Sequence, residues 1–151
     1  MSRSPAAELS RSWRELGGIL ASRRLAAALG VDPGARLTPT KLRALDALAE
    51  SGGLRVSELA ARMHVDETTA TRLADRLGTA GLAQREPDPD DRRATAIVLT
   101  PAGERLAHEL SRRRLEFFHD VLGALDPDER SELVRLTAKA TAALTEELVA
   151  R

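Results

Sequence analysis

A mainly α fold with a small β-hairpin wing is predicted by three observations. Apolar residues recur at helical spacing along most of the 151 residues. Within Leu54 to Gly103, two short amphipathic segments flank a tight break, and two β-prone runs then enclose a polar tip rich in Pro, Asp and Arg before a new helix signal. That order describes a winged helix-turn-helix, whose second helix fits a DNA major groove and whose hairpin reaches the backbone or the minor groove. The third observation is that the terminal segments carry more apolar surface than one small winged module can cover. A helical dimerisation part is therefore expected beside it.

The elements follow in order. Leu9, Trp13, Leu16, Ile19, Leu20, Leu25 and Leu29 predict a first helix over residues 6–29, ended by Gly30-Val31-Asp32-Pro33-Gly34. Thr38 is the expected N-cap of a second helix, with Pro39 at its first position and Leu42, Leu45 and Leu48 facing inward. Gly52-Gly53 stops it. Ser57 with Glu58 starts a third helix, which buries Leu59, Ala60 and Met63, and His64-Val65 makes the turn. Asp66 caps a fourth helix over 67–80, and Gly81 ends it. Residues 83–86 and 95–99 read as strands around the tip Pro87–Arg93. Thr100-Pro101 and Asp126-Pro127 repeat the cap-then-proline signal for two last helices. One domain is expected over 1–151, with 6–36 and 101–151 as the helical dimerisation part and 37–100 as the winged part.

Composition narrows the chemistry. There is no Cys, which excludes disulfides, thiolate metal sites and thiol-based redox sensing. No apolar run is long enough to span a bilayer, and the N-terminal residues lack the apolar centre of a signal peptide, so no membrane partner and a cytoplasmic location are expected. No Ser/His/Asp order, Gly-rich phosphate loop or paired ligand motif points to an enzyme, and no cofactor is expected. His108 and His119 stand 11 residues apart, about 16 Å along a helix, too far to chelate one ion, so no metal site is expected. Net charge is zero, and residues 55–105 carry 8 basic and 9 acidic side chains. A nucleic-acid reading must therefore rest on where individual arginines point, not on overall charge.

On a wheel at 100° per residue, Ala70, Leu73, Ala74 and Leu77 of the fourth helix cluster on one side. Thr68, Arg72, Asp75 and Thr79 lie opposite, flanked by Thr71 and Arg76. Arg forks onto guanine or phosphate, and Thr offers a hydroxyl and a methyl, so this face has the groups that reach base edges. The helix N-terminus adds amides for a phosphate, and Thr69 in its first turn is counted among the DNA-binding candidates. The alternative is an ordinary solvated face. The turn before this helix and the hairpin after it favour the nucleic-acid reading. Asp75 is out of place beside phosphates: either it holds Arg72 or Arg76, or it accepts from a cytosine amine. In the wing tip, Arg92 and Arg93 are candidates for a narrow minor groove, against the alternative of a charged tip with no partner. A winged module that binds protein is the second class of function. It would be indifferent to loss of Arg72, Arg92 or Arg93.

Thr69-Ala70-Thr71-Arg72, Leu77, Gly81-Leu82, Asp91-Arg92-Arg93 and Leu99-Thr100-x-x-Gly103, in that spacing, resemble the MarR (multiple antibiotic resistance regulator) family of bacterial transcription factors. The resemblance extends over nearly the whole chain in the number and order of helices. Gly78 and Ala83 depart from it, standing where larger apolar residues are usual. It implies a homodimer built by the first, fifth and sixth helices, a pseudo-palindromic operator, and a repressor relieved by a ligand. It also implies that Asp91 braces Arg93 and that the wing arginines enter the minor groove. Leu9, Trp13, Leu16 and Ile19 with Val134, Ala143, Leu144 and Leu148 suit an intersubunit bundle. A small-molecule effector is a candidate partner, with Trp13, Arg14, Arg43, Phe117 and Phe118 as the candidate lining; with no Tyr, one Trp and two Phe an aromatic-rich pocket is not expected, and core or interface packing is the favoured role for the aromatics.

Overall fold

Caps and prolines set where the helices begin. The computed structural model describes residues 4–29, 38–91 and 93–149. Among these residues the order is α1 (Pro5–Leu20), α2 (Arg23–Ala28), α3 (Pro39–Ser51), β1 (Leu54–Arg55), α4 (Val56–Met63), α5 (Glu67–Thr79), β2 (Ala83–Pro87), β3 (Thr95–Leu99), α6 (Pro101–Leu122) and α7 (Pro127–Val149). Proline occupies the start of α1 and α3, where its missing N–H has no partner to lose. Thr38 Oγ1 accepts from the Lys41 N–H at 3.3 Å, and Asp126 Oδ1 accepts from the Asp128 and Glu129 N–H groups at 2.9 Å. Glu129 returns the bond to the Asp126 N–H at 2.9 Å, completing a capping box at α7.

Three expectations are corrected. The helix read as continuous over 6–29 is two helices: Ser22 turns extended and its hydroxyl accepts from the Leu25 N–H at 3.2 Å, starting α2 afresh. The Gly30–Gly34 terminator lies outside the described residues. The third predicted helix begins at Val56, not Ser57, because Arg55 is its N-cap residue and the Arg55 N–H is taken by Glu58 Oε2 at 2.7 Å. The hairpin also gains a third strand. β1 pairs antiparallel with the free edge of β3, Leu54 opposite Ile97 and Arg55 opposite Ala96, so the strand order is β1-β3-β2.

The core lies between α3, α4, α5, the sheet and the first turns of α6. Leu45, Leu48, Leu59, Leu77 and Ile97 are its largest fully buried side chains. Ala44, Ala60, Ala70 and Ala74 allow the helices to approach closely, which suits a chain with few aromatics. The Leu99-Thr100-x-x-Gly103 pattern has a local cause. The Thr100 N–H donates to Leu82 O at 3.0 Å and the Thr100 hydroxyl to Gly81 O at 2.7 Å, while Thr100 Oγ1 accepts from the Gly103 N–H at 3.1 Å. A Cβ on Gly103 would stand 1.9 Å from Leu82 O, so only glycine fits where α6 crosses the turn after α5.

The chain divides into two compact units, Met1–Arg114 and Leu115–Arg151. Within the first, α1 buries none of its residues and exposes Leu9, Trp13, Leu16, Ile19 and Leu20. Within the second, α7 likewise leaves Leu133, Val134, Leu136, Leu144 and Leu148 exposed.

Candidate nucleic-acid interface

The helix-turn-helix is α4, a tight turn and α5. His64 closes α4 in the left-handed conformation at φ 54°, a region where Asn, Asp and His are the commoner non-glycine residues. The His64 and Val65 N–H groups return to the Ala61 and Ala60 carbonyls at 3.2 and 3.0 Å. Asp66 then starts α5. Its Oδ1 accepts from the Thr69 N–H at 2.8 Å and its Oδ2 from the Thr69 hydroxyl at 2.7 Å. These two bonds hold the Asp66 carboxyl below its ordinary range.

Ala70, Leu73, Ala74 and Leu77 are the buried face of α5. Thr68, Arg72, Asp75, Arg76 and Thr79 are exposed, and Thr71 is half-buried. The hydroxyls differ in what they leave free. Thr69 is committed to Asp66, whereas Thr71 donates to Glu67 O at 2.8 Å and Thr79 to Asp75 O at 2.9 Å, keeping acceptor capacity and a methyl group. Of the two readings of Asp75, the intrahelical one is corrected: the carboxylate pairs with Arg85 of β2 at 2.9 Å rather than with Arg72 or Arg76. The sequence reading missed Arg85. The run Gln84-Arg85-Glu86 is polar at every position, which is the signal that could have found it.

With Asp75 engaged elsewhere, Arg72 and Arg76 make no ion pair with a described residue. They line a cleft of about 400 Å³ between α5 and the start of α3, together with Thr38, Thr40, Lys41, Thr69 and Leu73. The lining holds three cationic side chains, three hydroxyls and no carboxylate. The fourth-helix arginines and the second-helix cap, predicted as separate features, thus meet at one surface.

The wing is tied to the start of α4. Arg55 Nε donates to Asp88 Oδ2 at 2.6 Å, while Asp88 Oδ1 accepts from the Asp90 and Asp91 N–H groups at 2.8 and 3.1 Å. Asp88 is only 8% exposed and is the one buried charged side chain among the described residues. The Arg55 guanidinium, helped by those two amides, holds the Asp88 carboxyl down at about 2. Asp91 Oδ1 accepts from the Arg93 backbone N–H at 3.1 Å, and its other oxygen lies 3.9 Å from Arg55 Nη2. The Arg93 side chain is exposed, and Arg92 lies outside the described residues.

Of the candidate effector residues, Trp13, Arg14 and Arg43 belong to the first compact unit and Phe117 to the second. Trp13 is 52% exposed and Arg14 is exposed beside it on α1. Arg43 Nη2 donates to Met63 O at 3.3 Å. Phe117 is half-buried, its ring edge-to-face with Phe118 at 5.6 Å. A cavity of about 440 Å³ lies between α3, β3 and α6, where Asp46, Glu50, Glu104, His108 and Arg114 supply polar groups. Arg114 forks onto Asp46, Nη1 to Oδ2 at 2.6 Å and Nη2 to Oδ1 at 2.8 Å. No cluster of three metal-ligating side chains occurs among the described residues, and none of their helices is long and apolar enough to cross a membrane.

Comparison with known proteins agrees with this geometry. The MarR family model matches residues 37–95. The transcriptional repressor MdtR of Bacillus subtilis is 36% identical over 112 residues, which cover 74% of this chain and 72% of MdtR. A MarR family protein of Bacillus stearothermophilus superimposes with a TM-score of 0.77 at 30% identity, covering 96% of this chain and 99% of that one. Bordetella bronchiseptica BpsR, a protein whose DNA binding is regulated by 6-hydroxynicotinic acid, superimposes with a TM-score of 0.65 at 26% identity over 93% of this chain and 95% of its own. The fold and its exposed reading helix define a winged-helix transcriptional regulator. The chain belongs to the MarR family, a family of DNA-binding regulators and not of enzymes.

Proposed function

We propose that this chain is a ligand-responsive repressor that binds a pseudo-palindromic duplex as a homodimer. The observation that carries the DNA reading is the carboxylate-free cleft of Thr38, Thr40, Lys41, Thr69, Arg72 and Arg76. A cationic, hydroxyl-lined surface across two helices suits a phosphate backbone, which supplies most of the affinity of such complexes. Thr68 and Thr71 then face base edges, and Arg92 and Arg93 supply the wing. Asp91 orders the Arg93 backbone from below. Residues 37–100 form the DNA-binding part, and 6–36 with 101–151 form the dimerisation part. The unburied apolar faces of α1 and α7 support that division. Two reading heads one helical turn apart need a dimer. Regulation by a small molecule follows the likeness to BpsR. The cavity beside Arg114 and Asp46 is large enough to admit one.

The test is fluorescence anisotropy on DNA from upstream of the chain's own gene, against a scrambled duplex of equal length. Salt-sensitive binding with a preference of about a hundredfold or more is expected. Arg92→Ala and Arg93→Ala should weaken it with little change in folding. Equal weak binding to both duplexes would reject the reading.

A further inference from the structure

Arg55 lies outside the reading helix, on the two-residue strand β1 that edges the wing sheet, and it is the side chain on which the wing tip hangs. Its Nε holds Asp88 at 2.6 Å, and Asp88 in turn gathers the Asp90 and Asp91 amides. The Asp88 N–H donates to Ala94 O at 3.0 Å and the Ala94 N–H to Asp91 O at 2.8 Å, closing the tip. Asp91 then orders the Arg93 backbone. One continuous chain of bonds therefore runs from the N-cap of α4 to the wing arginine. Without Arg55 the buried Asp88 carboxylate would keep its two amide bonds but lose its counter-charge, so this link is strong only while both partners are present.

We infer that Arg55 is a positioning residue for DNA binding, fixing the angle at which the wing presents Arg93 relative to the helix-turn-helix. This rests on the DNA reading above. Through Arg55 the start of α4 and the wing tip form one rigid unit, and the wing does not swing independently of the helices beside it. Arg55 itself need not touch DNA for its loss to weaken binding.

The experiment is a double-mutant cycle on the full chain, using the duplex that the parent protein selects from a random library. Arg55→Met and Arg93→Ala should each weaken binding by about tenfold, and the double variant should bind no more weakly than Arg93→Ala alone, because residues in one network do not act additively. Losses that multiply, or parent-like binding by Arg55→Met, would overturn the assignment. Hydrogen exchange on the DNA-free protein supplies the second arm. The Asp90, Asp91, Arg93 and Ala94 amides should exchange at least tenfold faster in Arg55→Met while the α5 amides keep their protection. Unchanged wing exchange would overturn the inference whether or not DNA binds. Should Arg55→Met fail to fold, the near-isosteric Asp88→Asn is read the same way in both arms. Failure of the parent protein to select any duplex would count against the DNA reading alone.

Discussion

The reading head and the terminal helices use similar residues in opposite ways. In α5, Ala70 and Leu77 are fully buried and the face opposite is polar. In α1, Leu9 is 63% exposed and Ile19 59%, and nothing along the helix is buried. Both helices are amphipathic, so amphipathicity alone does not distinguish them. The difference is that α5 has α3, α4 and a sheet to cover its apolar side, and α1 has no such cover among the described residues of its own unit. A helix with an apolar stripe and no intramolecular partner is the form an association surface takes.

That contrast can be broken by substitution. The largest expected effect is in the head. Leu77→Ala removes a fully buried side chain from the contact between α5 and its neighbours and should lower stability by about 3 kcal/mol, measured by urea unfolding. A loss below about 1 kcal/mol would mean that this core is looser than its burial implies. Next comes α1. Leu16→Asp should leave the secondary structure of the head intact by circular dichroism yet give the mass of one chain by light scattering at micromolar concentration. A persistent dimer would place the association surface elsewhere. The smallest effect is electrostatic and belongs to the wing. The Asp88 carboxyl, held at about 2 against an ordinary 3.8, is stabilising while ionised. Its contribution is complete above about pH 4 and is lost as the pH falls toward 2. Asp88→Asn should flatten that acid limb and lower stability at neutral pH. An unchanged limb would separate the Arg55–Asp88 pair from acid sensitivity.

Much of this was legible in the chain. The buried face of α5, the Asp66 and Thr38 caps, both hairpin strands and the starts of α6 and α7 follow from periodicity and cap chemistry, which act over three or four residues. What was not legible acts over longer distances or against the pattern. The apolar spacing continues through Ala21-Ser22, so periodicity ran α1 into α2, and only the Ser22 hydroxyl records the break. The two-residue β1 has no pattern of its own and exists because β3 offers a free edge about forty residues later. The ties that build the candidate site are of the same kind: Arg55 reaches Asp88 and Arg85 reaches Asp75 across a turn or a strand. Charge counts give no hint of which arginines are left uncompensated. Only the engagement of Asp75 by Arg85 shows that Arg72 and Arg76 are.

The close approach at Gly103 has a mechanical consequence. Where helices meet through side chains, rotamer changes absorb small displacements. Here the first turn of α6 rests directly on the Leu82 backbone, with room for a hydrogen and nothing larger. Two hydrogen bonds from Thr100 hold the same turn to Gly81 and Leu82, and Thr100 Oγ1 caps the turn by accepting from the Gly103 N–H. The joint has no slack. When the opening turn of α6 tilts, the chain leaving the reading helix must tilt with it, like a shaft keyed to its wheel.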